Sequence, residues 1–152
     1  MKADTSIKAR GFQVVRERMD IADFDLVKWL THSKEEVKVV GIAKHLCGGA
    51  TDLALTSFEH LKKLEDFPSK LAGLSIATCC HHACDTKTYV NLAFIAKEIP
   101  ELVTAEGDIS TLEFQRLMRC SSWGVAPQIS IEKRTCGFQV KRIIDLGRSL
   151  FI

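Results

Sequence analysis

The chain has 152 residues, 46% of them hydrophobic and 26% charged, a balance that fits one ordinary globular domain and excludes a disordered chain. No apolar run approaches the roughly 20 residues that a membrane span needs. Met1-Lys2-Ala3-Asp4-Thr5 lacks the apolar core of a secretory signal, so an intracellular place, nucleus or cytoplasm, is expected, with no membrane partner. The net charge of +2 is too small to argue for nucleic acid by itself, although residues 1–18 and 128–152 each carry an excess of three positive charges. Such basic ends can meet phosphates; on charge alone, two solvated faces are the favoured reading.

In chain order, Phe12–Met19 alternates in part and can be a strand. Ile21–Leu30 reads as a connection with a short helix. Val37–Ala43 is β-branched and compact, so it predicts a buried strand. It ends at Lys44-His45-Leu46-Cys47-Gly48-Gly49, whose paired glycines allow a sharp turn. A helix is expected from Thr51 or Asp52, either of which can cap it, and Pro68 marks the loop beyond. Leu71–Thr78 predicts a second buried strand, running into Cys79-Cys80-His81-His82-Ala83-Cys84-Asp85. Tyr89–Lys97, Ser110–Arg119 (Ser110 as cap) and Ile131–Leu150 predict helices, the last weakened by Gly137.

Strands alternating with helices predict an α/β fold with parallel strands. Ligands of such sheets bind outside the carboxyl ends of the strands. The two most unusual peptides, 44–49 and 79–85, each follow a strand directly, so both are expected on one rim, as a composite site.

Each polar residue there has two readings. Lys44 is a snorkelling lysine, or a cation or base at a reacting centre. His45 is a proton carrier, an RNA contact or a packing residue. Asp52 is a helix cap, the safer reading, or a carboxylate that orients Lys44 or a substrate hydroxyl. The Cys/His run suggests zinc, drawn from Cys80, His82 or Cys84 with Cys47. Against this, adjacent side chains rarely converge on one ion, and no second C-x-x-C pair is present. A cysteine nucleophile is a further option. In the plainest reading Cys79 finishes the strand and Cys80 packs the loop. Adjacent cysteines without a secretion signal do not suggest a disulfide framework.

Lys44-His45-Leu46-Cys47-Gly48 with Ala50–Leu55, and Cys79–Cys84 with Tyr89, resemble the tRNA 2′-O-methylase family that acts on the fourth nucleotide of certain tRNAs. Further matches are Phe114-Gln115-Arg116 with Met118 and Ser121-Ser122-Trp123, and Gly137 with Lys141 and Ile144-Asp145-Leu146-Gly147-Arg148. Lys2-Ala3-Asp4 and Glu17–Ile21 also match. The resemblance implies a Rossmann-like class I methyltransferase fold that uses S-adenosylmethionine. It implies methyl transfer to a ribose 2′-hydroxyl in the acceptor stem of tRNAs for glycine, proline and histidine. It assigns catalysis to Lys44, His45, Asp52, His81 and His82. Around them it places a rim of Cys47, Gly48, Cys80, Cys84, Tyr89, Arg116, Ser122 and Trp123.

The family's Gly-rich loop after a first strand, its acidic residue after a second and its N-terminal zinc-binding segments do not occur in this sequence. Asp85-Thr86 also stands where a tryptophan is usual. Residues 1–152 are therefore expected to be the C-terminal part of one methyltransferase domain, a mostly parallel sheet lacking its first strands and inactive alone. Such a sheet exposes an edge and apolar surface. The alternatives are a non-catalytic RNA-binding remnant, a zinc-binding or redox module, and a related methyltransferase with another substrate.

Overall fold

The computed structural model describes residue 5 and residues 7–31, 38–66 and 70–152. The matches at Lys2-Ala3-Asp4, the strand start at Val37 and the loop at Pro68 lie outside the described residues.

Two strands form a parallel sheet, β1 (Val39–Lys44) and β2 (Leu71–Ala77). Gly41 pairs with Leu74 and Lys44 with Ala77, with one irregularity between Val39 and Val40. Parallel neighbours need a crossover, which here contains the helix α2 (Gly49–Glu59), preceded in the chain by the short α1 (Leu26–Thr31). A side chain at Gly41 would run into the Phe58 ring and Leu74, so glycine lets α2 lie close on the sheet. Leu26, Leu30 and Leu61 form a small core there, with Phe24, Val39, Phe58 and Leu71 packed around it. The opposite sheet face is open: Val40 is 58% exposed and Ile42 81%. Parallel sheets are ordinarily covered on both faces.

The carboxyl-terminal half is helical: α3 (Leu92–Glu98), α4 (Thr111–Ser121) and α5 (Ile131–Ser149). Ser110 and Ser130 cap α4 and α5, each accepting a backbone N–H at 3.4 Å, from Glu113 and Lys133 respectively. The main core joins Tyr89, Ile95, Leu102, Phe114, Met118, Val140 and Ile144. Phe114 is fully buried, so truncating it to alanine costs about 3–5 kcal/mol.

Three expectations are corrected. Residues 12–18 form no strand, since no neighbouring strand offers them a ladder among the described residues. The helix expected from Tyr89 starts at Leu92, because Tyr89 is buried with its hydroxyl donating to the Ile144 carbonyl at 3.0 Å, and Asn91 supplies the cap. Gly137 does not weaken α5: a side chain there would strike the Gly124 backbone, so glycine permits the close approach of α5 to the turn Ser122–Val125. The expected parallel α/β arrangement is present among the described residues as a two-stranded sheet. No helix among the described residues is long and apolar enough to cross a membrane.

Candidate functional site

Parallel pairing ends β1 and β2 at the same edge, with Lys44 opposite Ala77. Residues 45–48 and 78–85 therefore leave the sheet side by side, as the sequence predicts. His45 and Gly48 both take positive φ, 64° and 56°. Histidine is among the residues that tolerate this region. At Gly48 a Cβ would collide with the Ala83 carbonyl, and at Gly49 with the Thr88 side chain. The glycines thus let the first loop lie directly against the second.

The expected cap at Thr51 or Asp52 is corrected. The helix begins at Gly49, and Gly48 caps it without a side-chain bond. The Thr51 hydroxyl instead donates to the Leu46 carbonyl at 2.6 Å. Asp52 points inward, fully buried, and meets Arg148 of α5. Arg148 Nε donates to Asp52 Oδ1 at 3.0 Å and Nη2 to Oδ2 at 2.6 Å. Paired bonds of this kind are strong and orient both partners. Nη2 also donates to the Gly48 carbonyl at 3.2 Å, and Nη1 to Asp145 Oδ1 at 3.2 Å. Burial opposes the guanidinium charge, but the hydrogen bond and charge of Asp52 outweigh it and raise the Arg148 pKa above its ordinary value.

The second loop joins the same network. The Cys84 thiol donates to Asp52 Oδ2 at 3.4 Å. Burial, reinforced by the Asp52 charge, pushes that thiol up to about 12. Within this network Cys84 therefore serves as a neutral thiol donor to Asp52. The buried ring of His81 faces two oxygens: Nε2 is 2.8 Å from Asp145 Oδ2, and Nδ1 is 3.1 Å from the Cys79 carbonyl. Thr78 Oγ1 donates to the same Asp145 oxygen at 3.0 Å. Burial works against the Asp145 charge, yet bonds from His81 and Thr78 hold its carboxyl below the usual range. Tyr89 lies beneath, its ring 6.0 Å from the Arg148 guanidinium. A cavity of about 370 Å³ opens beside the network, lined among others by Leu74, Ile76, Thr78, Asp145 and Arg148.

The thiols divide only in part as expected, with Cys80 joining Cys47. Cys47 and Cys79 are 3.2 Å apart at sulfur, and Cys80 completes a group of three within 4.8 Å. Cys84 and His82 are not among them. Hydrogen bonding to Cys80 and Cys79 pushes the Cys47 thiol up to about 12, while the bond from Cys47 lowers Cys79.

Lys44, His45 and His82 are exposed at this edge. His82 lines a cavity of about 260 Å³ with Cys84, Asp85, Gln115 and Arg119. Asp85 is tied up locally, accepting from Lys87 N, Thr88 N and the Thr88 hydroxyl. Gln115 of the motif containing Arg116 thus reaches the rim, beside Arg119, whereas Arg116 itself pairs with Glu113 on the helix surface. The Ser122 hydroxyl donates to the Arg119 carbonyl, and Trp123 lies under Lys133 with the ammonium 5.6 Å from its ring. Both belong to the junction of α4 with α5. Sequence reasoning assigned no role to Arg148 or Asp145, although both lie in the last matched peptide. Their i, i+3 spacing, with Gly147 between them, was the available signal: a side chain at Gly147 would displace the Tyr89 hydroxyl.

The family model described as "Methyltransferase TRM13" matches residues 1–133. The chain is 32% identical to the "tRNA:m(4)X modification enzyme TRM13" of Vanderwaltozyma polyspora, over 97% of this chain and 39% of that protein. It is 30% identical to the protein of that name from Saccharomyces cerevisiae, over 91% of this chain and 36% of that one. It is also 30% identical to the human "tRNA:m(4)X modification enzyme TRM13 homolog", over 93% and 35%. The chain therefore spans less than two-fifths of the length of these relatives. No solved structure matches it. The match over most of the chain, with both rim peptides inside it, places this protein in the TRM13 methyltransferase family.

Proposed function

We propose that the paired loops 44–48 and 78–85 form the acceptor-side wall of a tRNA 2′-O-methylation site, acting on nucleotide 4 of the acceptor stem inside the cell. In this reading residues 1–152 are part of one Rossmann-like methyltransferase domain. The observation that carries it is the buried network: Arg148 and Asp145 of one helix hold Asp52 at the start of α2 and Gly48, Cys84 and His81 of the two loops, and Lys44, His45 and His82 are left exposed at the same edge.

The roles follow from exposure. Asp52 and His81 are buried and fully engaged, so they act as positioning residues and do not touch an RNA. Lys44 is the residue that meets the ribose. A ribose hydroxyl is a poor nucleophile at neutral pH, so transfer needs it held in line and relieved of its proton. Lys44 orients the hydroxyl or takes that proton, and His45 and His82 contact neighbouring RNA. The exposed basic residues of α5, Lys133, Arg134 and Arg142, supply phosphate contacts.

S-adenosylmethionine is the donor that the family implies. The paired glycines at the end of β1 do not fit as its cradle. Gly48 and Gly49, the adjacent glycines at a strand end, are filled by Ala83 and Thr88 and leave no gap for a ligand. We assign the donor to residues other than these, and expect the 152 residues alone to be inactive.

The test is methylation of acceptor-stem tRNA with a labelled donor, using Lys44→Ala in the full gene product that carries these residues. Turnover is expected to fall to background while tRNA binding persists. Near-normal turnover would remove Lys44 from the mechanism.

A further inference from the structure

The thiols of Cys47, Cys79 and Cys80 lie within 4.8 Å of one another, and the network around Arg148 uses none of them. They come from two loops, one after each strand, brought together by parallel pairing. Adjacent cysteines ordinarily point apart. Here the backbone turns at Cys80, with φ −91° and ψ 64°, straight into the tight turn His81–Ala83. That turn leaves both thiols near Cys47. Zinc binds thiolate sulfur at about 2.3 Å, which puts tetrahedral ligands roughly 3.8 Å apart. Three sulfurs within 4.8 Å reach this spacing by small side-chain rotations. Cys47 is exposed and Cys79 and Cys80 are half-buried, so an ion has a path in.

We propose that Cys47, Cys79 and Cys80 form a three-thiolate site for a soft divalent cation of the zinc class, with water in the fourth position. On binding, the ligands give up their thiol protons to solvent. The ion then pins loop 45–48 to loop 78–80, beside Lys44 and His81. The proposal stands apart from the methylation reading, since it concerns metal retention and needs no RNA.

The experiment is a spectrophotometric titration of the reduced, metal-stripped chain with cobalt(II). A thiolate-to-cobalt charge-transfer band saturating at one equivalent, and displaced by zinc, is expected. Cys47→Ser should lose the band and Cys136→Ser should keep it, both with unchanged far-ultraviolet circular dichroism. A measurement without substitutions backs this up: zinc should shield Cys47, Cys79 and Cys80 from maleimide while Cys120 and Cys136 still react. No charge-transfer band, a band that survives Cys47→Ser, or equal labelling of Cys47 with and without zinc would overturn the site. So would a Cys47–Cys79 disulfide that persists in the purified chain and excludes cobalt.

Discussion

Asp52→Asn removes one charge from a fully buried pair and leaves Arg148, whose side chain is 5% exposed, without its bidentate partner. The new amide also turns a donor toward guanidinium N–H groups that had met an acceptor. Breaking a buried ion pair by removing one partner costs about 3–5 kcal/mol. Asp145 still faces Arg148 at 3.2 Å, so the cost belongs near the lower end, about 3 kcal/mol. For a chain of this length each kcal/mol lowers Tm by roughly 2–4 °C, so a fall of about 6–12 °C is expected. Thermal unfolding followed by far-ultraviolet circular dichroism measures it. Adding Arg148→Met should recover part of the loss, since the two sites are in contact and not additive. A fall of less than about 2 °C, or a double variant as unstable as the sum of the singles, would refute the claim that this pair holds the two loops.

Two further predictions concern the same framework. Asp145 has a depressed folded-state pKa, so its contribution is present above the unfolded value of about 4 and is lost as pH falls through the folded value. Asp145→Asn should therefore flatten the acid limb of a stability-versus-pH curve below roughly pH 4; an unchanged limb would count against its bonds to His81 and Thr78. Gly137→Ala should lower Tm although alanine is the better helix former by about 1 kcal/mol, because the new methyl meets the Gly124 backbone. A rise in Tm would show that α5 can move away at little cost.

The parts legible in the sequence were those with local signals. The β-branched run at 39–44, the short apolar run at 71–77, the Ser110 cap and the long final helix all follow from short-range pattern. The meeting of peptides 44–49 and 79–85 was legible because both follow strands of one parallel pair. What was not legible depends on long-range partners. Asp52 sits where a cap residue would, and only Arg148, 96 positions away, shows that it is buried and paired. The thiol grouping was legible only in part for a similar reason: Cys80 lies with Cys47 as expected, but the turn at Cys80 also brings Cys79 there and leaves Cys84 with Asp52. Phe12–Met19 has partial strand alternation but no ladder partner among the described residues.

The central claim is that this rim faces the acceptor and not the donor. Calorimetric titration of the chain with S-adenosylmethionine tests it most directly. The account predicts no saturable heat, because Gly48 and Gly49 are occupied by Ala83 and Thr88. Saturable binding at one molecule per chain would contradict it and place the donor on these residues.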